Sequence, residues 1–522
     1  MRSERLRQTL RDPFSQQIAA LGATGLLAFA FPAGLLLLLL WGPYRRALEA
    51  AALRAVAERK TWLALLALGP AIAIAIAHPS PPDDLLRNLH AWRVGYDYRG
   101  MYWGSPGIQR GDYYLGFDWA IGWLDRGFLR LGWPDWSWLP VVALDALCWS
   151  VALAGVLKRL LRSESALPWL AWAGAILLLW LTPDFTGRVL SGRPESFFAL
   201  WAFCALAVDG GVGMALWILC GLALSTTYWF FWIYLPAALL MFPSWGWQAR
   251  AWPRRIGSGL VIFVFGLTFW WIASHGQYVG WFLHLQAALK TRIASVGENE
   301  RLILGAATPA VLALFAIGMA AGAAPVRLSR DDRYVVTALS AVAAWFALPD
   351  MVRYMDSILP LAAAAVVLLA DRKWARADLP PRWTASVALL LIGAFIWTAM
   401  VLGTGARPLE RLRIPNALPG QRVLTWFGRD SYDAVYLNPD LRIAPGFEVG
   451  FSRKDVQQAS MDLGEGRIDC DWLRRNAVSW VIGPSAPIDA TKWAICLRLE
   501  RVTRDGTAVW RVRKSGVEKH AT

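Results

Sequence analysis

The stretch His78-Pro79-Ser80-Pro81-Pro82-Asp83-Asp84-Leu85-Leu86-Arg87-Asn88-Leu89 follows an apolar run, 62–77, that predicts a membrane helix. Its prolines end that helix sharply. The leucines after them recur at helical spacing, which predicts a short amphipathic helix with Asp83 and Asp84 at its N-terminus. Two adjacent carboxylates at the exit of an apolar helix are unfavourable unless they face water or a partner. The pair is therefore the first candidate for a functional site.

The composition is that of a membrane protein. Of the 522 residues, 56% are hydrophobic and 17% are charged, and the mean hydropathy is +0.38. Many of the 32 tryptophans lie near the ends of apolar runs, where the indole ring suits the headgroup zone. A net charge of +15 would indicate a nucleic-acid partner in a soluble chain. Here Arg and Lys lie in short loops and orient the helices, so no nucleic-acid partner is expected.

The apolar runs predict an α-helical polytopic protein with about 11–12 membrane helices. The predicted spans include 229–242, 260–273, 302–323 and 385–402. The short basic loops 158–165, 244–256, 324–333 and 371–383 all fall on one side, which should be cytoplasmic. The loops 78–138, 183–195, 275–301 and 350–356 then face outward, together with the C-terminal segment. The run 18–41 either crosses the membrane or is re-entrant, and both topologies remain open.

Three regions follow from these runs. Residues 1–60 form a basic segment, an apolar anchor and a cytoplasmic helix, and residues 61–404 form the membrane domain. The long first outward loop of that domain, 78–138, has the pattern of a helix pair lying on the membrane surface. Residues 405–522 are predicted to form a small extracytoplasmic α/β domain. The glycines of 210–213 are interpreted as a tight turn between two spans.

Strand-like runs in the C-terminal region predict its secondary structure, with a helix at 469–476. The predicted strands are 422–427, 434–437, 479–482, 496–502 and 508–512. Cys470 and Cys496 both lie in this region, and an extracytoplasmic location would allow a disulfide between them. We interpret this region as a structural or acceptor-docking domain and not a catalytic one, since no nucleophile or metal cluster is evident in its sequence.

The outward loops concentrate carboxylates together with Arg and Lys. A carboxylate can take a proton from an acceptor hydroxyl, and Asp83 or Asp84 is the candidate base. Cations can hold a phosphate that leaves as an anion. The candidates for this role are Arg87, Arg188, Arg193, Lys290, Arg292 and Arg353. The candidates for acceptor or sugar binding are Glu195, His284 and Tyr278.

Each candidate has a structural alternative. The acidic pair can simply cap the helix that it begins. The arginines of 183–195 can pair with Glu195 or extend to lipid headgroups, and Glu195 can stabilise the N-terminus of the following helix. His284 can be an interfacial residue, and Arg353 can form an ion pair with its acidic neighbours. No zinc motif, phosphate-binding loop or dinucleotide fingerprint appears in the sequence, and neither a metal nor a cofactor is indicated.

On these residues the layout resembles the GT-C class of integral membrane glycosyltransferases. The resemblance covers most of the chain in architecture, and its motifs are Pro82-Asp83-Asp84-Leu85 and, more weakly, Ser191-Gly192-Arg193-Pro194-Glu195. The run 473–513 is also similar to the tails of bacterial arabinofuranosyl- and mannosyltransferase-like members. One departure is the additional apolar run near the N-terminus. The metal-binding acidic cluster of the oligosaccharyltransferase branch is not evident.

The resemblance implies a specific reaction. A GT-C protein would move a sugar from a polyprenyl-phosphate donor to an acceptor glycan, lipid or protein. The transfer would invert the anomeric centre, with Asp83 or Asp84 as general base. The protein would lie in the inner (plasma) membrane and act on its extracytoplasmic face.

Two other classes of protein remain. A transporter or flippase of lipid-linked sugars would need ionisable residues buried in mid-span. Most of the charge here lies in loops, and Asp145 and Asp209 are the only acids within or at the edge of apolar runs. A non-catalytic membrane scaffold would use the C-terminal region to bind a partner.

Overall fold

The structure is a computed structural model, and it describes only some of the chain. The described residues are 83–95, 103–104, 114–133, 137–162, 172, 175–176, 179–180, 182–242, 251–280, 328–347, 354–374, 412–426, 434, 436–444, 452–487, 490–503 and 506–513. The predicted N-terminal region (residues 1–60), the spans 62–77, 302–323 and 385–402, and the topology of 18–41 lie outside them.

The described portion of the chain is helical, with a small sheet domain at its C-terminal end. Its helices before residue 375 are α1 (Asp83–Arg93), α2 (Leu115–Arg130), α3 (Leu139–Leu160), α4 (Pro183–Leu190), α5 (Pro194–Cys204), α6 (Gly210–Ser225), α7 (Leu235–Leu240), α8 (Trp252–Ala273), α9 (Arg330–Ala347) and α10 (Met355–Trp374). Short 3₁₀ segments cover Ala205–Ala207 and Phe231–Ile233.

The prediction around the acidic pair is confirmed for the backbone. Helix α1 begins at Asp83, and its Leu85, Leu86 and Leu89 are completely buried. The segment 78–138, which is predicted to be an outward loop, also contains α2, so two helices are present where a helix pair is predicted. Among the described helices, α3 and α8 have 22 residues each and are long and apolar enough to cross a membrane.

Two predicted loops are wrong in part. The segment 183–195 contains α4, because Pro183 fits the first turn of a helix, where its missing N–H is not needed. The glycines of 210–213 form the first turn of α6, which begins where the Asp209 side chain accepts a hydrogen bond from the Gly210 amide at 3.0 Å.

Two predicted spans also differ from the structure. The run 229–242 is broken into a 3₁₀ segment and the six-residue α7, since Pro236 in the first turn of α7 cannot donate to a preceding helical turn. The span expected from residue 260 begins at Trp252 and includes Arg254 and Arg255. Pro253 in its first turn marks this earlier start.

The C-terminal domain folds around a five-stranded sheet. Its strands are β1 (Arg422–Thr425), β2 (Arg442–Ala444), β3 (Val478–Pro484), β4 (Leu497–Val502) and β5 (Thr507–Val512), in the spatial order β2-β1-β3-β5-β4. Strand β1 runs parallel to β2 and β3, whereas β5 runs antiparallel to β3 and β4. The accompanying helices are α11 (Lys454–Gly464), α12 (Cys470–Arg475) and α13 (Ala490–Cys496).

One predicted strand of this domain is wrong. Ala434, Tyr436 and Leu437 are helical, and β2 lies a few residues later. All three side chains are buried, and so short an apolar run does not distinguish a strand from a helical turn. Cys470 and Cys496 form the disulfide that the sequence allowed, and it links the start of α12 to the end of α13.

Helix α10 is central to the described helices that precede residue 375. It packs against α3, α4, α5 and α9. Its N-terminal end therefore lies beside α4 and α5, which flank the Ser191–Glu195 motif. Its C-terminal end lies beside the end of α3 and the start of α9, where Arg372 contacts Leu160 and Asp332.

Candidate active site

A glycine joins the two sequence motifs. Gly192 lies in the turn between α4 and α5 with a φ of +58°, a conformation that favours glycine. A Cβ atom at this position would lie 2.7 Å from Cδ2 of Leu85. The absence of a side chain thus lets the first turns of α1, which carry Asp83 and Asp84, pack directly on the Ser191–Glu195 turn. The side chains of Asp83 and Asp84 themselves lie outside what the structure describes.

Arg87 connects α1 to Glu195 through an aromatic residue. The Arg87 side chain is buried, and its Nη2 donates to Asn88 Oδ1 at 2.9 Å. Its guanidinium carbon lies 5.3 Å from the centre of the Tyr114 ring, a cation–π distance. The Tyr114 hydroxyl donates to Glu195 Oε1 at 3.4 Å, and its ring stacks on Tyr228.

Glu195 combines two of the roles considered for it. It lies in the first turn of α5, where a carboxylate stabilises the helix N-terminus. It is also 2% exposed, and its Oε2 has no hydrogen-bond partner among the described residues. A buried carboxylate with an unused acceptor atom at a helix start remains available to a ligand hydroxyl.

Arg188 lies in a buried group of opposite charges. Its Nε is 3.7 Å from Asp356 Oδ2, and both side chains are almost fully buried. Asp145 of α3 interacts electrostatically with both of them, and the hydroxyl of Ser196 lies beside its carboxylate. Two carboxylates thus lie near the Arg188 guanidinium among apolar helices, and buried ionisable groups of this kind are candidates for a functional site.

Tyr234 links the Arg188 group to Glu195. It is 2% exposed and is close enough to both Asp356 and Glu195 for electrostatic interaction. Its ring stacks on Phe198 of α5 with centroids 5.5 Å apart. Neighbouring polar side chains, all buried except the partly buried Tyr114, thus form a series from α1 to α3: Arg87, Tyr114, Glu195, Tyr234, Asp356, Arg188 and Asp145.

The structure brings together three of the predicted site residues, Arg87, Arg188 and Glu195. Arg193 lies at the N-cap position of α5, next to them in sequence. The Tyr278 hydroxyl donates to the carbonyl oxygen of Trp229 at 2.7 Å, and no contact of Tyr278 with Arg87, Arg188 or Glu195 is seen among the described residues. Lys290, Arg292, Arg353 and His284 lie outside the described residues, so their predicted roles stay predictions.

The sequence patterns did not identify several residues of this polar series. In the sequence, Asp356 is only one of the acidic neighbours of Arg353, and Tyr114 is one of many aromatic residues in the segment 78–138. Asp145 is conspicuous in the sequence, since it is an acid within an apolar run. There it serves only as evidence on a transport function and is not among the candidate site residues. Arg188, Glu195 and Asp356 all lie in predicted outward loops, but the structure places them in helices and buries them.

His90 of α1 is a further buried polar group near the site. Burial, reinforced by the positive charge of Arg93, lowers the pKa of His90 to about 3. The imidazole is therefore neutral at physiological pH. No three His, Cys, Asp or Glu side chains of the described residues come close enough to hold a metal ion.

Solved structures of two membrane enzymes share this fold. The crystal structure of ArnT from Cupriavidus metallidurans bound to undecaprenyl phosphate matches with a TM-score of 0.54 at 16% identity, over 88% of this chain and 98% of that one. The apo oligosaccharyltransferase of Archaeoglobus fulgidus matches with a TM-score of 0.50 at 12% identity, over 88% and 74%. No protein-family model and no curated protein matches the sequence.

Both of these proteins are GT-C glycosyltransferases. The resemblance to the GT-C class that the motifs indicated is therefore confirmed at the level of the fold. At these identities the comparison establishes the architecture, and the chemistry has to be argued from the residues.

Proposed function

We propose that this protein is a multi-pass glycosyltransferase of the inner (plasma) membrane. It moves a hexosyl or pentosyl unit from a polyprenyl-phosphate donor to an acceptor glycan, lipid or protein on the extracytoplasmic face. The ArnT structure contains undecaprenyl phosphate, which supports a lipid phosphate as the leaving group. The C-terminal domain lies on the same face, and its disulfide between Cys470 and Cys496 supports an oxidising compartment.

The contact between Leu85 and Gly192 carries this proposal. It puts the start of α1, with its two acids, against the turn that leads from Arg188 to Glu195. A general base and groups able to hold a phosphate and a sugar hydroxyl are then contributed by neighbouring elements. The two weak sequence motifs thus become components of one site.

The reaction is a single displacement. The acceptor hydroxyl oxygen attacks the anomeric carbon, and the bond from this carbon to the phosphate oxygen breaks. The polyprenyl phosphate leaves with the electron pair, and Asp83 or Asp84 takes the hydroxyl proton. Attack from the face opposite to the leaving group inverts the anomeric centre.

The charged groups divide the work around this step. Arg87 lies on the same helix as the base and can stabilise the departing phosphate. Arg193, Lys290, Arg292 and Arg353 are further candidates for phosphate binding. The charge of Arg188 is shared with Asp356, so its contribution depends on how this carboxylate orients it. Glu195 accepts hydrogen bonds from sugar or acceptor hydroxyls, with Tyr278 and His284 as further candidates.

Replacing Asp83 and Asp84 by Asn, singly and together, tests the base. Asn caps a helix as well as Asp does, so the substitution preserves capping and removes proton acceptance. Transfer from a polyprenyl-phosphate sugar in proteoliposomes should fall by roughly 10²–10⁴-fold in the variant that lacks the base. Asp331→Asn is the matched control, because Asp331 also belongs to an acidic pair near a helix start but is exposed.

Undiminished transfer by the double variant would show that neither acid is the base. A transporter or flippase would instead move the lipid-linked sugar across the bilayer of the same proteoliposomes without transferring it. The buried Arg188, Asp145 and Asp356 make this alternative worth measuring in parallel.

A further inference from the structure

The C-terminal end of α1 is held by the C-terminal domain. Arg93, the last residue of α1, donates from Nε and Nη2 to the two carboxylate oxygens of Asp125 in α2 at 3.0 and 2.7 Å. Its Nη2 is also 3.2 Å from the hydroxyl of Tyr436, and its guanidinium carbon lies 4.4 Å from the centre of the Tyr436 ring. One arginine thus joins α1, α2 and the C-terminal domain.

Tyr436 makes a second contact at the same point. Its hydroxyl lies 3.0 Å from Oγ of Ser137, just before α3. Tyr436 is 2% exposed, and burial raises the pKa of its hydroxyl above the ordinary value. The phenol therefore stays protonated, so it can accept from Arg93 and donate to Ser137 at the same time.

A separate contact fastens the first outward loop to the same domain. The Trp103 ring is buried among core residues of the C-terminal domain, and its Nε1 donates to the carbonyl oxygen of Val423 at 3.0 Å. The amide of Arg453 donates to the Gly104 carbonyl at 2.9 Å. The loop after α1 is therefore anchored as well, which fixes the domain relative to α1.

We propose that Tyr436 is a positioning residue: through Arg93 it lets the C-terminal domain set the orientation of α1 and so of Asp83 and Asp84 at the opposite end. The proposal rests on the proposed function, in which this acidic pair supplies the base. The 11 residues of α1 form a lever about 15 Å long. A small tilt at Arg93 therefore displaces the acids, and a displacement of about 1 Å can lower a rate by about 100-fold.

The variant Tyr436→Phe tests this role, because it keeps the ring and removes both hydroxyl contacts. We expect kcat for transfer to fall by about tenfold while KM for the lipid donor changes less than about twofold, since the base and Arg87 move with α1 whereas the donor candidates Arg188 and Arg193 lie on other elements. Arg93→Lys should act in the same direction, because an ammonium cannot hold Asp125 with two parallel hydrogen bonds. Tyr334→Phe is the control, since the Tyr334 hydroxyl donates to the Leu240 carbonyl, away from α1.

Hydrogen exchange provides a readout that does not depend on activity. In Tyr436→Phe, the amides of 83–93 should exchange about tenfold faster, whereas those of β1, β3 and β5 keep their wild-type rates. Unchanged exchange in α1 together with unchanged kcat would overturn the proposal. Faster exchange throughout the sheet would also overturn it, because Tyr436 would then stabilise its own domain. If α1 alone loosens but the wild-type protein transfers no sugar, the positioning contact stands and the proposed function fails.

Discussion

The two ends of α10 both carry buried charges, but they differ in how these charges are paired. At the C-terminal end, Arg372 donates from Nε and Nη2 to the two oxygens of Asp332 at 3.1 and 2.8 Å. Asp332 also accepts from the Ser329 hydroxyl at 2.7 Å, and the amide of Arg162 donates to Asp371 at 3.0 Å. We call these residues, Arg162, Asp332, Asp371 and Arg372, the C-terminal cluster.

The N-terminal cluster of α10 consists of Asp145, Arg188, Glu195 and Asp356. Here the ion pair between Arg188 and Asp356 is 3.7 Å long, which is beyond hydrogen-bonding distance. One oxygen of Glu195 and both of Asp145 lack a well-formed hydrogen bond among the described residues. Sixteen residues of helix, about 24 Å, separate Asp356 from Arg372.

The difference separates structure from function. In the C-terminal cluster the donors and acceptors are paired with each other, and these hydrogen bonds stabilise the packing of α3, α9 and α10. Buried carboxylates whose oxygen atoms lack hydrogen bonds among the described residues, as in Asp145 and Glu195, are typical of functional sites. The contrast supports the proposed site at the end of the bundle that lies beside α1.

Replacing Arg372 by Met should have the largest effect on stability. The change leaves the buried Asp332 with only its 3.4 Å ion pair to the exposed Arg162 as a cation contact among the described residues, so we expect a loss of about 3 kcal/mol in the free energy of unfolding. Denaturant unfolding in detergent measures this loss, with Arg330→Met on exposed α9 surface as the control. Transfer per folded molecule should be unchanged. A loss of specific activity with full stability would contradict the structural role of this cluster.

Asp356→Asn should show the opposite pattern. Removing the charge that orients Arg188 is expected to lower transfer by about 100-fold, with a smaller loss of stability than Arg372→Met causes. Rates in proteoliposomes and unfolding of the same preparations give both numbers. Ser357→Ala, which removes only a donor at 3.2 Å from Asp356 Oδ1, should have a weaker effect in the same direction. Equal effects of Asp356→Asn on both measurements would erase the distinction between the clusters.

Acid should lower the free energy of unfolding in two different pH ranges, one set by His90 of α1 and the other by Asp332 of the C-terminal cluster. Because burial and Arg93 hold the pKa of His90 at about 3, the unfolded chain binds a proton that the folded chain does not between pH 6.5 and 3. The stability that the neutral His90 contributes is thus fully present above pH 6.5, and it falls by about 1.4 kcal/mol per pH unit between pH 6.5 and 3.

Asp332 behaves similarly at lower pH. Burial alone would raise its pKa, but hydrogen bonds from Arg372 and Ser329 lower the pKa to about 2. Its contribution is complete above pH 3.8 and is lost between 3.8 and 2. The melting temperature should therefore depend less on pH than in the wild type, above about pH 4 in His90→Leu and only below about pH 4 in Asp332→Asn. Identical profiles for both variants and wild type would refute this assignment.

The exposed pair Arg453–Asp455 should matter least. Both side chains are nearly half exposed, and their 2.9 Å contact resembles the Arg372–Asp332 contact in length only. Asp455→Asn should change the free energy of unfolding by less than about 1 kcal/mol, and added salt should reduce the effect further. A loss as large as that of Arg372→Met would show that burial is not what separates the two pairs.

Much of the fold was predictable because it follows from local patterns. The leucines after Asp84 indicated α1, the apolar runs indicated α3 and α8, and the strand-like runs indicated β1, β3, β4 and β5. The errors arose where one pattern fits two structures. The apolar residues around Tyr436 suit a strand or a helical turn, and the run 229–242 suits a span until the effect of Pro236 is counted.

The candidate site was only partly predictable. Arg87, Arg188 and Glu195 were identified because charged residues near apolar runs are conspicuous. Asp356 and Tyr114 were not, because a single acid after a loop or one tyrosine among many has no distinctive local pattern. Their importance comes from neighbours that are far away in sequence.

The sequence by itself determined the acidic pair at a helix start and the small α/β domain at the C-terminal end, and it predicted a membrane protein. These properties depend on composition, periodicity and helix breakers, which act over a few residues. The tertiary structure alone decided which charges meet. Leu85 packs on Gly192, Asp356 lies beside Arg188, and Tyr436 contacts Arg93. These contacts join segments that are up to hundreds of residues apart, because the burial of apolar faces on distant helices brings their polar groups together.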